Sequence, residues 1–285
     1  MRGRDAPELR PESRQEKVIL SQGHLTVVGT GMMVAAQITQ EALSAIEAAD
    51  KLFHVAADIV TARWLSELNA TAEPLHDSYR EGRPRSETYE EMVERILAPV
   101  REGKDVVAAF YGHPGVFVQP SHEAIRRAIA EGHEAVMLPG VSAEDCLFVD
   151  LGFDPGERGC QSFEATDFLL RRRRFDEASY LILWQIGGIG VHDYRPGDLW
   201  GPRGLAVLQG ELLKVYPGSH LVTVYEAAQF PVFPPLIHST PLAQLTSAPV
   251  SLRSTLCVPP LADRDSDPEM TAALAEPEPE APTHP

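Results

Sequence analysis

Chemistry in this chain of 285 residues could be done in four short stretches. The first, SYREGRPRSETYEEM (78–92), gathers Tyr79, Tyr89 and the arginines Arg80, Arg83 and Arg85 around Gly82. A phenol can donate or exchange a proton and a guanidinium is a permanent cation with fixed donors, so the set suits stabilisation of developing negative charge. The plain alternative is a solvated surface loop. The second stretch, FYGHPGVF (110–117), and the third, PGVSAED (139–145), each place glycine and proline directly after an apolar run. Glycine lets backbone groups approach a ligand closely, and open parallel sheets bind ligands at the carboxyl ends of their strands. The fourth is Gly29-Thr30-Gly31. A dinucleotide fingerprint wants Gly or Ala at position 34, where this chain has Val34, although Asp50 stands near the place of a ribose-binding acid. A tight turn explains the same glycines.

Positioning these stretches takes alternating strands and helices. His24–Val28 reads as a buried strand, Ile38–Asp50 as a helix with Thr39 as N-cap, Lys51–Ala56 as a strand and Val60–Asn69 as a helix. Thr88–Glu102 reads as a helix stopped by Gly103, Val106–Tyr111 as a central strand, Ser121–Glu131 as a helix and Ala135–Leu138 as a strand. Ser142 is the expected cap of the next helix. This alternation implies parallel strands joined by crossover helices. After about residue 160, strands are predicted at Ser179–Ile186, Leu221–Tyr225 and Arg253–Val258, with fewer helices and more Pro and Gly. That pattern fits a second α/β lobe with a mixed sheet, and Arg171–Arg174 reads as a solvated turn. The expected organisation is a flexible charged tail (1–22), an N-terminal α/β lobe (23–139), a C-terminal α/β lobe (140–261) and a disordered acidic, Pro-rich tail (262–285).

Composition narrows the function classes. Lys plus Arg number 25 against 41 Asp plus Glu, a net charge of −16, the wrong sign for tracking nucleic-acid phosphates. Three cysteines without a Cys-x-x-Cys pair, and ten histidines without His-x-x-x-His spacing, argue against a disulfide framework and a metal site. Neither a Gly-x-Ser-x-Gly elbow nor a P-loop is present. The N-terminus lacks the apolar core of a signal peptide, and the longest apolar run, Tyr180–Val191, is shorter than the roughly 20 residues that span a bilayer. The expectation is a cytoplasmic protein without membrane or nucleic-acid partners.

The loops at Tyr111–Phe117 and Pro139–Asp145 resemble those of the tetrapyrrole-methylase superfamily, S-adenosylmethionine-dependent enzymes with two α/β lobes around a cleft. Its cobalamin and sirohaem branches carry Gly-Asp-Pro where this chain has Gly112-His113-Pro114, and often Gly-x-Gly-Pro-Gly where it has Gly29-Thr30-Gly31-Met32-Met33. Both departures count against a porphyrinoid substrate. The chain is more similar to the borosin peptide α-N-methyltransferases. That resemblance runs in order through LTVVGTGMM (25–33), TYEEMV (88–93), AFYGHPGVFVQPSH (109–122), MLPGVSAEDCLFVDLGFDPG (137–156), QSFEATDFL (161–169) and LILWQIGGIG (181–190).

The resemblance implies a tetrapyrrole-methylase-like α/β fold of two lobes, one mainly parallel and one mixed. It implies S-adenosylmethionine as methyl donor, no metal, and a homodimer. Tyr79, Arg85, Tyr89 and Tyr111 fall on the family's catalytic positions. Tyr111, Gly112, His113, Pro114, Gly115, Val116, Phe117, Ser142, Ala143 and Gln185 fall on its donor-binding positions. Fused family members continue into a Val/Ile-rich peptide methylated in place. No such run follows Pro260, so the resemblance is read as the split type, acting on a separate precursor peptide. In the expected chemistry Arg85 and a tyrosine hydroxyl hold an imidate-like oxygen, Tyr79 or Tyr89 takes the amide proton, and Arg85 favours a phenolate beside it. The competing readings are a porphyrinoid C-methyltransferase and a non-catalytic peptide-binding module.

Overall fold

The computed structural model describes residues 23–195 and 201–275; the expected tail at 1–22 and the last ten residues lie outside that range. The N-terminal lobe starts with β1 (His24–Gly29), buried along nearly its whole length. Helix α1 (Gln40–Ala48) begins where the Thr39 side chain accepts the Ala42 N–H, as expected of an N-cap. Then follow β2 (Lys51–Val55), α2 (Ile59–Leu68), capped by Asp58, and the two-residue β3 (Glu73–Pro74). Helix α3 (Arg85–Arg101) starts a turn earlier than the sequence suggests, because Pro84 is extended and its fixed φ suits a helix entry. Arg85 and Tyr89 therefore stand on a rigid helix instead of a loop. Strand β4 (Asp105–Phe110), α4 (Gln119–Ala130) and β5 (Glu134–Met137) complete a five-stranded, all-parallel sheet of order β3-β2-β4-β1-β5.

Strands β1 and β4 are neighbours at the centre, paired from His24 with Asp105 to Gly29 with Phe110. The chain leaves them toward opposite edges, β1 to β2 and β4 to β5, which opens a crevice at their carboxyl ends. One face of the sheet packs Leu25, Val27, Val106, Ala108 and Phe110 against the Met92–Val100 stripe of α3 and against α4. The other packs Val28, Leu52, Val107 and Ala109 against Ala42, Ile46 and Leu65 of α1 and α2. Burial on both faces is why these strands read as mostly apolar runs, with Thr26 and His54 buried among them.

The C-terminal lobe holds α5 (Ala143–Leu151), α6 (Pro155–Arg158), β6 (Cys160–Glu164), α7 (Ala165–Leu170), β7 (Tyr180–Trp184), α8 (Pro202–Leu212), β8 (Leu221–Glu226), β9 (Leu236–Pro241) and β10 (Thr255–Val258). Its sheet is mixed, of order β6-β7-β10-β8-β9; β6 and β7 are parallel and the remaining pairs antiparallel. The helices are more numerous than the Pro/Gly density suggests. Helix α8 contains Gly204 and Gly210, poor helix formers, and forms because Leu205, Leu208 and Leu212 make one buried stripe. Within the segment read as a disordered tail, α9 (Pro268–Ala275) forms, with the Asp267 carboxylate accepting from the Glu269 and Met270 N–H groups at 2.8 and 3.1 Å. None of its residues is buried.

His54 on β2 is 2 % exposed, its Nδ1 has no hydrogen-bond partner among the described residues, and burial, with the His76 ring nearby, lowers its pKa from 6.5 to about 4. Between those two pH values the unfolded chain binds a proton that the folded chain refuses, so stability falls as pH drops through the window. The loss should approach about 3 kcal/mol. Urea unfolding of the wild type at both ends of the window should show it, and His54→Leu should flatten that dependence.

Candidate active site

Three cavities meet in the crevice between the lobes. The smallest, of about 290 Å³, is built on the loops that end β1 and β4 and on the start of α5. The two loops touch backbone to backbone: Gly31 N–H donates to Gly112 O at 3.2 Å and Gly112 N–H to Gly31 O at 2.8 Å. A Cβ on Gly29 would lie 2.2 Å from the Gly112 carbonyl oxygen, and Gly31, at φ +74°, would drive one to 2.4 Å from Gln37 Cβ. The first Gly-x-Gly is thus a close-packing device. The dinucleotide alternative loses its acid as well, because the Asp50 carboxylate accepts the Asp105 N–H (3.0 Å) at the opposite end of the strands. Gln37, which no motif flagged, holds the β1 loop by accepting the Met32 and Met33 N–H groups, both at 2.9 Å.

Of the residues expected to bind the donor, Tyr111, Gly112, His113, Val116, Phe117, Ser142, Ala143 and Gln185 line this cavity. Pro114 and Gly115 do not. Pro114 is buried against Gly29 and Gly140, and its carbonyl accepts the Ser121 hydroxyl at 2.5 Å. Gly115 turns the loop by donating its N–H to His113 Nδ1 at 2.9 Å. Ser142 contributes wall only, since its N–H and hydroxyl are committed to a capping box with Asp145. Phe117 and Gln185 both adopt left-handed backbone, φ +56° and +60°, which non-glycine residues rarely hold. Both line the neighbouring cavities as well, where such strain is most often stored.

The second cavity, of about 530 Å³, brings Tyr79, Arg85, Tyr89 and Tyr111 together with Phe117 and Gln185. Tyr79 follows a 3-10 turn, His76–Ser78; Arg85 and Tyr89 lie one helical turn apart on α3; Tyr111 comes directly after β4, with its N–H donated to Val55 O at 3.2 Å. The Tyr79 ring meets Tyr89 edge-on at 6.5 Å and the Tyr194 ring at 5.3 Å. Residues 192–194 tie this loop to the C-terminal lobe: Arg85 N–H donates to His192 O, Gly82 N–H to Tyr194 O and Tyr194 N–H to Arg83 O. Sequence reasoning missed this strap, and it missed Arg253, which lines both cavities just before β10. A third, outer cavity of about 700 Å³ shares Arg85, Tyr89 and Gln185 with the second and adds Ser86, Gln119 and His122.

Electrostatics revise one expectation. Burial, then the neighbouring Tyr89 and Tyr111, pushes the Tyr79 phenol well above the ordinary tyrosine value, and the opposing pull of Arg85 is the weakest of these effects. Tyr111 is 45 % exposed to the open crevice, yet protein packed around its hydroxyl, and then Tyr89, raises its pKa too, against Arg85 and Arg253. Arg85 therefore does not create a phenolate at Tyr79 or Tyr111; both are hydrogen-bond donors at neutral pH. Among the described residues there is no group of three His, Cys, Asp or Glu able to hold a metal, and no helix long and apolar enough to cross a membrane.

The family model described as Tetrapyrrole (Corrin/Porphyrin) Methylases matches residues 24–186, more than half the chain, and this chain belongs to that family. It is similar to the methyltransferase/ribosomally synthesized cyclic peptide gymnopeptides precursor of Gymnopus fusipes, 45 % identical over 84 % of this chain and 57 % of the relative. The corresponding omphalotin A precursor of Omphalotus olearius is 42 % identical over 86 % of this chain and 60 % of its own. The chain thus spans about three-fifths of the length of these relatives. Its fold matches uroporphyrin-III-C-methyltransferase from Thermus thermophilus with a TM-score of 0.57 at 20 % identity, covering 84 % of this chain and 93 % of that one. For the methyltransferase CobJ the TM-score is 0.59 at 19 % identity, with 86 % and 98 % covered.

If the contact of Gly29 with Gly112 shapes the smallest cavity, Gly29→Ala must part the two loops. The expected result is a loss of about 1–3 kcal/mol in stability. Binding of a nucleoside sulfonium or thioether, followed by calorimetry, should be abolished.

Proposed function

We propose that this chain is an S-adenosylmethionine-dependent methyltransferase that methylates backbone amide nitrogens of a ribosomally made peptide supplied as a separate chain. One observation carries the reading: four groups suited to oxyanion chemistry, Tyr79, Arg85, Tyr89 and Tyr111, line one cavity that adjoins a glycine-cradled second cavity across Tyr111, Phe117 and Gln185. The names of the relatives, which pair a methyltransferase with a ribosomal cyclic-peptide precursor, point the same way.

The donor cavity fits the expected cosubstrate. Its cradle needs Gly29 and Gly31, where a Cβ would collide with neighbouring atoms, and Gly112 at φ +70°; its wall pairs Phe117 with Trp184 at 5.8 Å, and Arg253 is placed to meet the donor's carboxylate. Bound there, S-adenosylmethionine supplies an electrophilic methyl group on a sulfonium. The chain's own residues must make the nucleophile. An amide nitrogen is a poor one because its lone pair is delocalised into the carbonyl. Arg85 brings permanent positive charge to the carbonyl oxygen as it gains imidate character, and the protonated Tyr79 and Tyr111 hydroxyls add hydrogen bonds in a low-dielectric cleft, where they count for more than in water. Tyr89, which touches both the reaction cavity and the outer one, takes the amide proton as its own leaves to solvent.

Incubating the protein with S-adenosylmethionine and a Val/Ile-rich peptide should yield successive methyl increments by mass spectrometry, localised to backbone nitrogens by fragmentation. Methylation of uroporphyrinogen instead would make the protein a C-methyltransferase, and donor binding without turnover of either substrate would make it a binding module. Arg85→Ala should lower kcat about 100-fold or more with donor affinity unchanged. Arg85→Lys should recover little of it, because an ammonium lacks the planar fork. Tyr79→Phe should lower kcat about tenfold or more. Unchanged turnover in Arg85→Ala removes the mechanism.

A further inference from the structure

Helix α3 is used on two sides. Arg85, Tyr89 and Met92 look into the reaction cavity. Glu87, Glu91 and Arg95, spaced four residues apart, meet the segment that carries Tyr79. The meeting point is Ser78, the residue before Tyr79, which is wholly buried. Its hydroxyl accepts a hydrogen bond from Arg95 Nη1 at 3.0 Å. Its carbonyl accepts from Arg83 Nη1 at 3.3 Å, and the same nitrogen donates to Glu91. Arg83 also reaches the Glu87 carbonyl at 3.3 Å. Arg95 extends the grip to Asp77 at 2.5 Å, Glu73 at 2.7 Å and the Pro74 carbonyl at 2.8 Å.

We propose that Glu91 is a positioning residue for Tyr79: its carboxylate holds the Arg83 guanidinium that grips the Ser78 carbonyl, and so fixes the Tyr79 phenol against Arg85 and Tyr89 on the opposite side of the same helix. This rests on the proposed role of Tyr79. Three features favour such a role over ordinary surface pairing. The Glu91 side chain is 29 % exposed and Arg83 only 21 %, so neither is a freely solvated charge. Arg83 binds main-chain carbonyls on both sides, at Ser78 and Glu87, which relates one backbone to the other. Tyr79 itself has aromatic neighbours at 5.3 and 6.5 Å but a short irregular backbone, so its register against α3 needs an anchor. Glu91 also carries a fixed negative charge on the side of α3 away from the reacting groups, where it does not compete with Arg85 for the developing oxyanion.

The test is a double-mutant cycle on turnover, read with thermal melting and donor affinity. Glu91→Gln should lower kcat about tenfold, and by no more than Tyr79→Phe does, while donor Kd stays within twofold, since small displacements of a catalytic group cost that much. In a Tyr79→Phe background the same substitution should change kcat less than about twofold, because the hydroxyl it positions is gone, while the drop in melting temperature should match that in the wild type. Arg83→Lys, which keeps the charge but loses the two-sided reach, should behave likewise and serves if Glu91→Gln does not fold. Equal losses of kcat in both backgrounds, or no loss in the wild type with Tyr79→Phe impaired, would overturn the positioning role. A Tyr79→Phe enzyme with full turnover would instead count against the proposed function.

Discussion

The close approach of two loops at the centre of the N-terminal sheet is the constraint on which the rest of the crevice depends. Gly31 and Gly112 exchange backbone hydrogen bonds, and the Gly112 carbonyl fills the space where any other residue at 29 would have a Cβ. The contact is possible because β1 and β4 are adjacent and in register to their last residues, Gly29 opposite Phe110. From there the geometry propagates. The β4 loop turns at Gly112 and Pro114, presents Tyr111 and Phe117 to both the smallest cavity and its neighbour, and sets Phe117 against Trp184 of the other lobe. A backbone contact with no side chain in it leaves little freedom to adjust. That is why the strain at Phe117 and Gln185 is tolerated: the surrounding chain over-determines their conformation.

Helix α3 transmits a second constraint. Its apolar stripe, Met92 to Val100, fixes it on the sheet, and its charged side binds Arg127 of α4 through Glu90 and Glu94. Individually such ion pairs contribute little stability at a surface. Their number here serves geometry more than energy, since the charged positions from Glu87 to Arg101 each have an ion-pair partner, and together these define its rotation. With rotation set, Arg85 and Tyr89 can point only into the crevice.

Much of this was legible in the sequence because the N-terminal lobe obeys period rules. The mostly apolar runs of β1, β2 and β4 and the caps at Thr39 and Ser142 specify elements without tertiary help. Legibility fails where tertiary contacts overrule local preference. The start of α3 was hidden by a loop-like composition, Arg-Pro-Arg-Ser, that becomes helical once Pro84 pairs with Asp193 in the other lobe. Strands β6 and β9 sit at sheet edges, half-buried, with Cys-Gln-Ser and His-Ser-Thr where a central strand would carry branched apolar residues. The residues of the Tyr79 cluster were visible as types, but their convergence depends on a strap more than a hundred positions away. Arg253 had no local signal at all.

The state of the tyrosines decides how labour is divided in the proposed chemistry. A phenol beside an arginine is easily imagined as a ready base, yet the same enclosure that strengthens electrostatics penalises the phenolate, and at Tyr79 enclosure outweighs the cation. A base made in advance would also repel the negative charge that must build on the substrate oxygen. Keeping Tyr79 and Tyr111 protonated avoids that repulsion and turns both into donors aimed at the same developing charge as Arg85. Proton loss is then left to the one phenol with access to the outer cavity, Tyr89, so the removal of the proton and the holding of the oxygen fall to different residues. The groups that hold the oxygen then need exchange no proton with water, and a single side chain beside the outer cavity does so instead.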